Sequence, residues 1–215
     1  LSSDDYSNEN FKFGTAKYVK INESKVWTQR LSYVGELGYE LYIEKANARE
    51  IYNLIVSKGK KYQISLCGMH AMDIMRMESG FLHWGHDISP EENQYEAGLN
   101  FAISYKKNID FIGKKSLIKI KKKKQFTMLT LKNSKPGEPL MLHDEPIYFN
   151  GKIIGRTTSG NYSFNFDKNL AFGYLKNDEN INSLKNGLIE IEIEKNKYEA
   201  EILTKPLNQK NYKNS

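Results

Sequence analysis

One cysteine, Cys67, stands in 215 residues, and that scarcity rules out an internal disulfide and any multi-cysteine metal site. It fits a reducing compartment. Beside Gly68, at the head of an apolar helical pattern, Cys67 reads as a buried structural thiol. Histidine is scarce too, with four in all. Two of them lie in His83-Trp84-Gly85-His86-Asp87, whose spacing could supply metal ligands on a helix, but the central Trp-Gly argues for a loop. With only His70 and His143 elsewhere, no metal is expected. No apolar run is long enough to cross a bilayer and no basic-then-apolar leader is present, so the expectation is a cytoplasmic protein without an export signal. Nucleophile elbows, phosphate loops and dinucleotide fingerprints are also missing. Gly155 to Gly160 is glycine-flanked, but it follows a hairpin strand and reads as a barrel turn rather than a phosphate cradle. His143-Asp144 could seed a charge pair, yet no serine has the surroundings of a nucleophile. There is no internal repeat. The first residue is Leu, so the sequence reads as starting partway through a longer protein.

What is present in excess is positive charge, formally +6. Much of it lies in one run, Lys119 to Lys124, broken only by Ile120. Lysine, asparagine and isoleucine are abundant throughout, as a general coding bias would produce, so the charge says little about function. The run reads first as a solvated face and second as a polyanion contact. Tyr162, Phe164 and Phe166 alternate near Arg156 and Lys168, the pattern that a basic nucleic-acid-binding barrel would need.

Patterning divides the chain in two. Residues 1–24 are polar and mixed, with Phe11, Phe13 and Val19 as core contacts. Val26 to Ile43 reads as two strands around a glycine turn. From Tyr39 the residues alternate, with Tyr39, Leu41 and Ile43 on one face and Glu40 and Tyr42 on the other. Asn47 predicts the cap of a helix from Ala48 to Lys58, with an Ile51, Leu54, Ile55 stripe and Gly59 as its stop. A second helix, Met69 to Ser79, carries four methionines, which suggests an adaptable core. A third runs from Lys114 to about Lys121. Strands follow at Phe126–Leu131, Pro146–Phe149, Lys152–Thr158, Leu170–Leu175, Leu188–Glu194 and Tyr198–Leu203, with two-residue turns at Asn150-Gly151 and Lys195-Asn196. The fold class expected is α+β: an α/β portion over residues 1–121, then a small antiparallel β-barrel over 125–215.

One stretch is hard to explain by packing: Tyr33-Val34-Gly35-Glu36-Leu37-Gly38-Tyr39-Glu40 holds an acid on a strand just past a glycine turn. It resembles the G-Y-T-G-E-x-G-x-E signature of the glycine-cleavage aminomethyltransferases, or T-proteins. It is closer still to the form in the folate domain of sarcosine and dimethylglycine dehydrogenases. Further blocks agree in order: Ala71 to Gly80 with Phe81 to Ile88, then Glu96-Ala97-Gly98-Leu99 and Asp110 to Lys114, then Gly155 to Gly160 with Ala171-Phe172-Gly173-Tyr174. Together they span nearly the whole chain.

The resemblance implies tetrahydrofolate as cofactor, and capture of an iminium or formaldehyde carbon as 5,10-methylene-tetrahydrofolate. It implies FAD only on a separate, N-terminal flavin domain. Glu40 would hydrogen-bond the pterin, a role suited to a carboxylate facing the paired donors of an amino-pyrimidinone edge. Tyr33 and Tyr212 would line the site, with Thr15 as a further wall. Arg76 would serve as a ligand or as an ion-pair partner of Glu78 or Glu40. Met72 stands where aminomethyltransferases carry a folate-contacting arginine before Asp73, which favours the dehydrogenase branch over the glycine-cleavage enzyme. The catalytic aspartate of the family has no counterpart near Asp4, Asp5 or Glu9. It is expected outside this chain, in an N-terminal half. The alternatives are a glycine-cleavage aminomethyltransferase, a basic nucleic-acid-binding barrel, or an inactive fragment.

Overall fold

The computed structural model describes residues 1–133, 135–176, 184 and 187–213. They form two compact units. One is Leu1–Ser79 with the segment returning from Asn208, and the other is Gly80–Leu207.

The first unit is built on an antiparallel sheet of β1 (Ala16–Ile21), β2 (Ser24–Gln29) and β3 (Glu40–Tyr42). Strand β1 falls in the stretch that sequence patterning left as polar and mixed. Tyr18 and Lys20 occupy the wet face, Val19 and Ile21 are buried on the other, and half-buried Lys17 on that same face lays its ammonium over the Phe11 ring at 4.5 Å. Helix α1 (Lys45–Gly59) lays Ile51, Leu54 and Ile55 into one cluster with Phe11, Val19, Ile21 and Val26, which Tyr39, Leu41 and Ile43 join. The predicted face of β3 is thus the face that packs.

Two boundaries of α1 differ from expectation. It starts at Lys45 after Glu44, without a side-chain cap, and the Asn47 N–H already donates to the Glu44 carbonyl. Nor does Gly59 stop it: the chain tightens into a 3-10 turn, Lys60–Tyr62, and reverses at Gln63, whose φ is +59°. Helix α2 (Met69–Glu78) buries Ile74, Arg76, Met77 and Glu78, while Met69 is exposed. Cys67 is exposed as well, correcting the expectation of a buried thiol. It precedes the helix, outside the periodic stretch that would have turned it inward.

In the second unit, a short α3 (Lys114–Lys119) is followed by six strands: β4 (Lys124–Leu131), β5 (Pro146–Phe149), β6 (Lys152–Ser163), β7 (Lys168–Lys176), β8 (Ile189–Ile193) and β9 (Asn196–Leu203). Among the described residues they close into a barrel in the order β4-β7-β6-β5-β8-β9. Ile189, Ile191 and Ile193 point into its core with Leu129, Ile147, Ile154, Ala171 and Leu175. Glu190 and Glu192 alternate outward, as a period of two requires.

The Asn150-Gly151 turn forms as expected, both residues having positive φ. The second turn is Glu194-Lys195, one residue earlier than predicted, because Ile193 pairs with Asn196. Gly155 to Gly160 is not a turn. It lies inside β6, where Thr157 pairs with Gly173 and Ser159 with Phe172, leaving Thr158 as the extra residue of a bulge.

That bulge has a purpose. Consecutive residues of a regular strand face opposite ways, but here the hydroxyls of Thr158 and Ser159 both donate to Oδ1 of Asp87, at 2.6 and 2.8 Å. Asp87 is 1% exposed; its Oδ2 accepts the His83 N–H at 2.9 Å, and its carbonyl accepts the Tyr174 hydroxyl at 2.8 Å. The loop His83–Ile88 is thereby stapled to the outer wall of the barrel, which explains why β7 is buried on both faces. Two of the sequence blocks singled out above are two halves of one hydrogen-bonded contact.

Of the aromatic and basic residues near β6, Phe164 and Phe166 are exposed, while the others have partners within the unit. Tyr162 is buried against Phe164, Arg156 pairs with Asp144, and Lys168 lies 3.6 Å from Glu201. In the lysine run, Lys124 pairs with Glu92, the Lys123 N–H donates to Glu96, and Lys122 donates to Gln125. No helix among the described residues is long and apolar enough to cross a membrane.

Candidate functional site

All five residues implied by the resemblance lie in the first unit, positioned by its sheet, the loop before β3, α2 and the returning tail. The register of its sheet puts Ala16, Gln29 and Glu40 in one row, so Thr15 and Glu40 share one end of the sheet. Glu40 is exposed, with its Oε2 accepting the Tyr42 hydroxyl at 2.7 Å. The two side chains stand two residues apart on one strand face, a geometry that fixes the carboxylate while leaving Oε1 without a partner among the described residues. The phenol of Tyr42 is harder to ionise than usual, because it donates to Glu40 and faces that negative charge. Tyr42 was not among the residues the sequence signature implied. The signal was present in the alternation that placed it beside Glu40.

The loop Leu31–Tyr39 carries Tyr33, and its glycines explain its shape. Gly35 has φ +72°, and a Cβ there would come within 2.1 Å of Ser79 Oγ. At Gly38 a Cβ would meet the Leu31 carbonyl at 2.6 Å. Only glycine lets the loop fold on itself and seat against the end of α2. There the Ser79 hydroxyl donates to the Val34 carbonyl at 3.1 Å.

The returning tail finishes the enclosure. The Asn208 N–H donates to the Glu78 carbonyl at 2.8 Å, its Nδ2 donates to Ser79 Oγ at 3.1 Å, and Lys210 pairs with Glu36 at 2.7 Å. Tyr212 then packs edge-on against Phe13, with ring centroids 5.4 Å apart. The Tyr33 loop, the end of α2 and the Tyr212 tail are therefore held together, and Phe13 links the tail to the strand end where Thr15 sits.

Thr15 and Arg76 are committed to internal partners. The Thr15 hydroxyl donates to the Lys12 carbonyl at 2.6 Å, closing a local turn. Arg76 is buried and pairs with Asp73 one turn earlier, at 2.7 Å, rather than with Glu40. At the metal candidate, the loop form is confirmed and Asp87 is spent on the barrel staple, while the rings of His83 and His86 lie 4.5 Å apart. Among the described residues no group of three or more His, Cys, Asp or Glu is placed to hold a metal.

Comparison with known proteins accounts for both units. Residues 1–107 match the family model of the GCVT N-terminal domain, and residues 124–208 match that of the glycine cleavage T-protein C-terminal barrel domain. The mitochondrial dimethylglycine dehydrogenase of Homo sapiens is 36% identical over 210 residues, which are 96% of this chain and 24% of that protein. The formaldehyde-forming 4-methylaminobutanoate oxidase of Paenarthrobacter nicotinovorans is 32% identical over 206 residues, again 96% and 24%. An aminomethyltransferase of Listeria welshimeri is 34% identical over 176 residues, 81% of this chain and 47% of that protein. Among solved structures, the glycine cleavage system aminomethyltransferase T of Bartonella henselae superposes with a TM-score of 0.79 at 20% identity, covering 94% of this chain and 54% of that one. The chain thus spans about a quarter of the length of the first two relatives and about half that of the aminomethyltransferases.

Proposed function

We propose, for a chain that belongs to the glycine-cleavage T-protein superfamily of aminomethyltransferases, that its first unit holds tetrahydrofolate as part of an enzyme of the sarcosine and dimethylglycine dehydrogenase kind. The observation that carries this reading is the Glu40 carboxylate, set on a strand, steadied by Tyr42 and open at Oε1. A pterin offers paired N–H donors along one edge and a flat ring. A fixed carboxylate accepts the first, and aromatic side chains stack on the second. The residues present therefore fit the cofactor.

In this reading Glu40 orients the folate, Tyr33 and Tyr212 wall it in, and Thr15 and Arg76 shape the surround through their internal partners. Tetrahydrofolate, when bound, supplies the nitrogen nucleophiles that take up a one-carbon unit. The service of this chain is proximity and exclusion of water, so that a reactive carbon meets an amine before it meets solvent. The oxidation that generates that carbon, and the catalytic aspartate expected from the resemblance, fall to parts of the longer relatives that these residues do not cover. The 215 residues alone are expected to bind folate and turn over no substrate.

The second reading, a glycine-cleavage aminomethyltransferase, rests on relatives of that name. The two differ in what precedes Leu1: a flavin fingerprint favours the first, a direct start into a folate domain the second.

Calorimetric titration of tetrahydrofolate tests the assignment. Glu40→Ala is expected to weaken binding by about 1–3 kcal/mol, the cost of leaving ligand donors unpaired. Unchanged affinity would remove Glu40 from the site.

A further inference from the structure

The stapled loop and the barrel wall leave between them a recess of about 800 Å³ that shares no residue with the proposed folate set. Its floor is the outer face of four consecutive strands, β4, β7, β6 and β5. The register gathers cations there. Lys124 stands opposite Lys176 across β4 and β7, and two residues along β7 Tyr174 stands opposite Arg156 of β6. His86 from the loop and His143 from the segment before β5 also line the recess.

Like charges directly opposite each other on neighbouring strands repel. Lys124 is relieved by Glu92 and by the Tyr174 ring, 4.8 Å from its ammonium. Asp144 relieves Arg156 at 2.6 Å and contacts His143 at 2.9 Å. Lys176 is exposed and has no acidic partner among the described residues. Of the acids lining the recess, Glu92 and Asp144 are already committed and Glu91 is exposed. The walls are also firm. Asp87 pins one side through four hydrogen bonds and is itself buried, so the loop need not be ordered when a ligand arrives.

We propose that this recess binds a small, multiply charged anion, bearing carboxylate or phosphate groups, seated against Lys176 and Arg156. An arginine fork recognises either group through two parallel N–H bonds, and Lys176, with no acidic partner among the described residues, supplies the charge that draws an anion in, although Glu91, Glu92 and Asp144 balance the other cations of the recess. The histidine rings supply further donors.

The test is titration of the 215-residue chain with inorganic phosphate and, separately, with succinate, followed by backbone-amide NMR shifts. Saturable shifts confined to the lining segments, residues 85–92, 124, 143–146, 153–158 and 174–176, are expected for at least one of them. The responding anion tells whether phosphate or carboxylate is the natural group. Lys176→Glu is expected to weaken that response about tenfold. Arg156→Gln should weaken it as well, whereas Lys195→Glu, the same charge change on the β8–β9 turn, should leave it intact. Both Lys176 and Arg156 are exposed, so the fold tolerates their replacement. Three results would overturn the proposal: no saturable shift up to about 50 mM anion, equal losses in Lys176→Glu and Lys195→Glu, or tighter binding of a single-stranded oligonucleotide with shifts spread beyond the recess. None of these readouts involves folate, so their failure leaves the reading of Glu40 untouched.

Discussion

A carboxylate removed from water has to find donors inside the protein, and Asp87 finds them in Thr158, Ser159 and the His83 N–H. Replacing it strands all of them at once. Asp87→Ala is expected to cost the barrel unit about 3–5 kcal/mol in urea unfolding, the sum for leaving the three donors to this buried carboxylate unpaired. A loss below about 1 kcal/mol would mean that the loop is held by something else. Glu92 poses the related question of pH. Burial pushes its carboxyl up, but the bonds from Lys124 and from the Ser89 hydroxyl and N–H outweigh that, and its pKa lies below the ordinary value. The folded state therefore favours the charged form. The resulting stabilisation is complete above the unfolded carboxyl value of about 4.3 and disappears as pH falls through the lowered folded value. Glu92→Gln should destabilise the unit by about 1–2 kcal/mol near pH 7, with the difference vanishing near pH 2. Unfolding midpoints at the two pH values decide it. At this scale the sequence spoke unevenly. Glu40 and Tyr33 stand out as proposed folate contacts because a dense local signature surrounds them. The fate of Asp87 depends on hydroxyls seventy-one and seventy-two positions away, which no local pattern announces.

Elements with strict alternation were easy to read, and irregular ones were not. Strand β8 declares itself through isoleucines facing in and glutamates facing out. Strand β1 hides because its two lysines and its tyrosine outnumber its two buried aliphatics. The β8–β9 turn was misplaced by one residue because asparagine suits turns in general, while cross-strand register decides which pair of residues turns. The bulge in β6 was invisible for a similar reason: it exists to aim two hydroxyls at one oxygen, a demand set by the loop and not by β6. Gly155, on the same strand, shows how closely the barrel strands approach. A Cβ at that position would lie 2.1 Å from the Tyr174 carbonyl oxygen, and backbone cannot yield as a side-chain tip does. Gly155→Ala is therefore expected to cost about 2–3 kcal/mol through displacement of β7 from β6. A melting temperature within a degree or two of the parent would show that the strands shift freely.

The two compact units follow the chain differently. The barrel unit is a continuous stretch, Gly80–Leu207, while the other is closed only by the segment returning from Asn208. That segment brings the Asn208 bonds to Glu78 and Ser79, the Lys210–Glu36 pair and the Tyr212–Phe13 contact, all within the first unit. Surface ion pairs contribute little, so most of the expected effect lies in the half-buried Asn208 bonds and the aromatic contact. A chain ended after Leu207 should lose about 1–3 kcal/mol in the first unit, which lowers its melting transition by several degrees. It should leave the barrel transition in place. If the first unit holds tetrahydrofolate as proposed, its affinity should fall in parallel, because the same segment steadies the Gly35 loop and carries Tyr212. Scanning calorimetry of the parent, the shortened chain and Asp87→Ala separates the two transitions, since Asp87→Ala should move only the barrel's. If the shortened chain and Asp87→Ala move one and the same transition, the units unfold together and the tail cannot be assigned to the first alone.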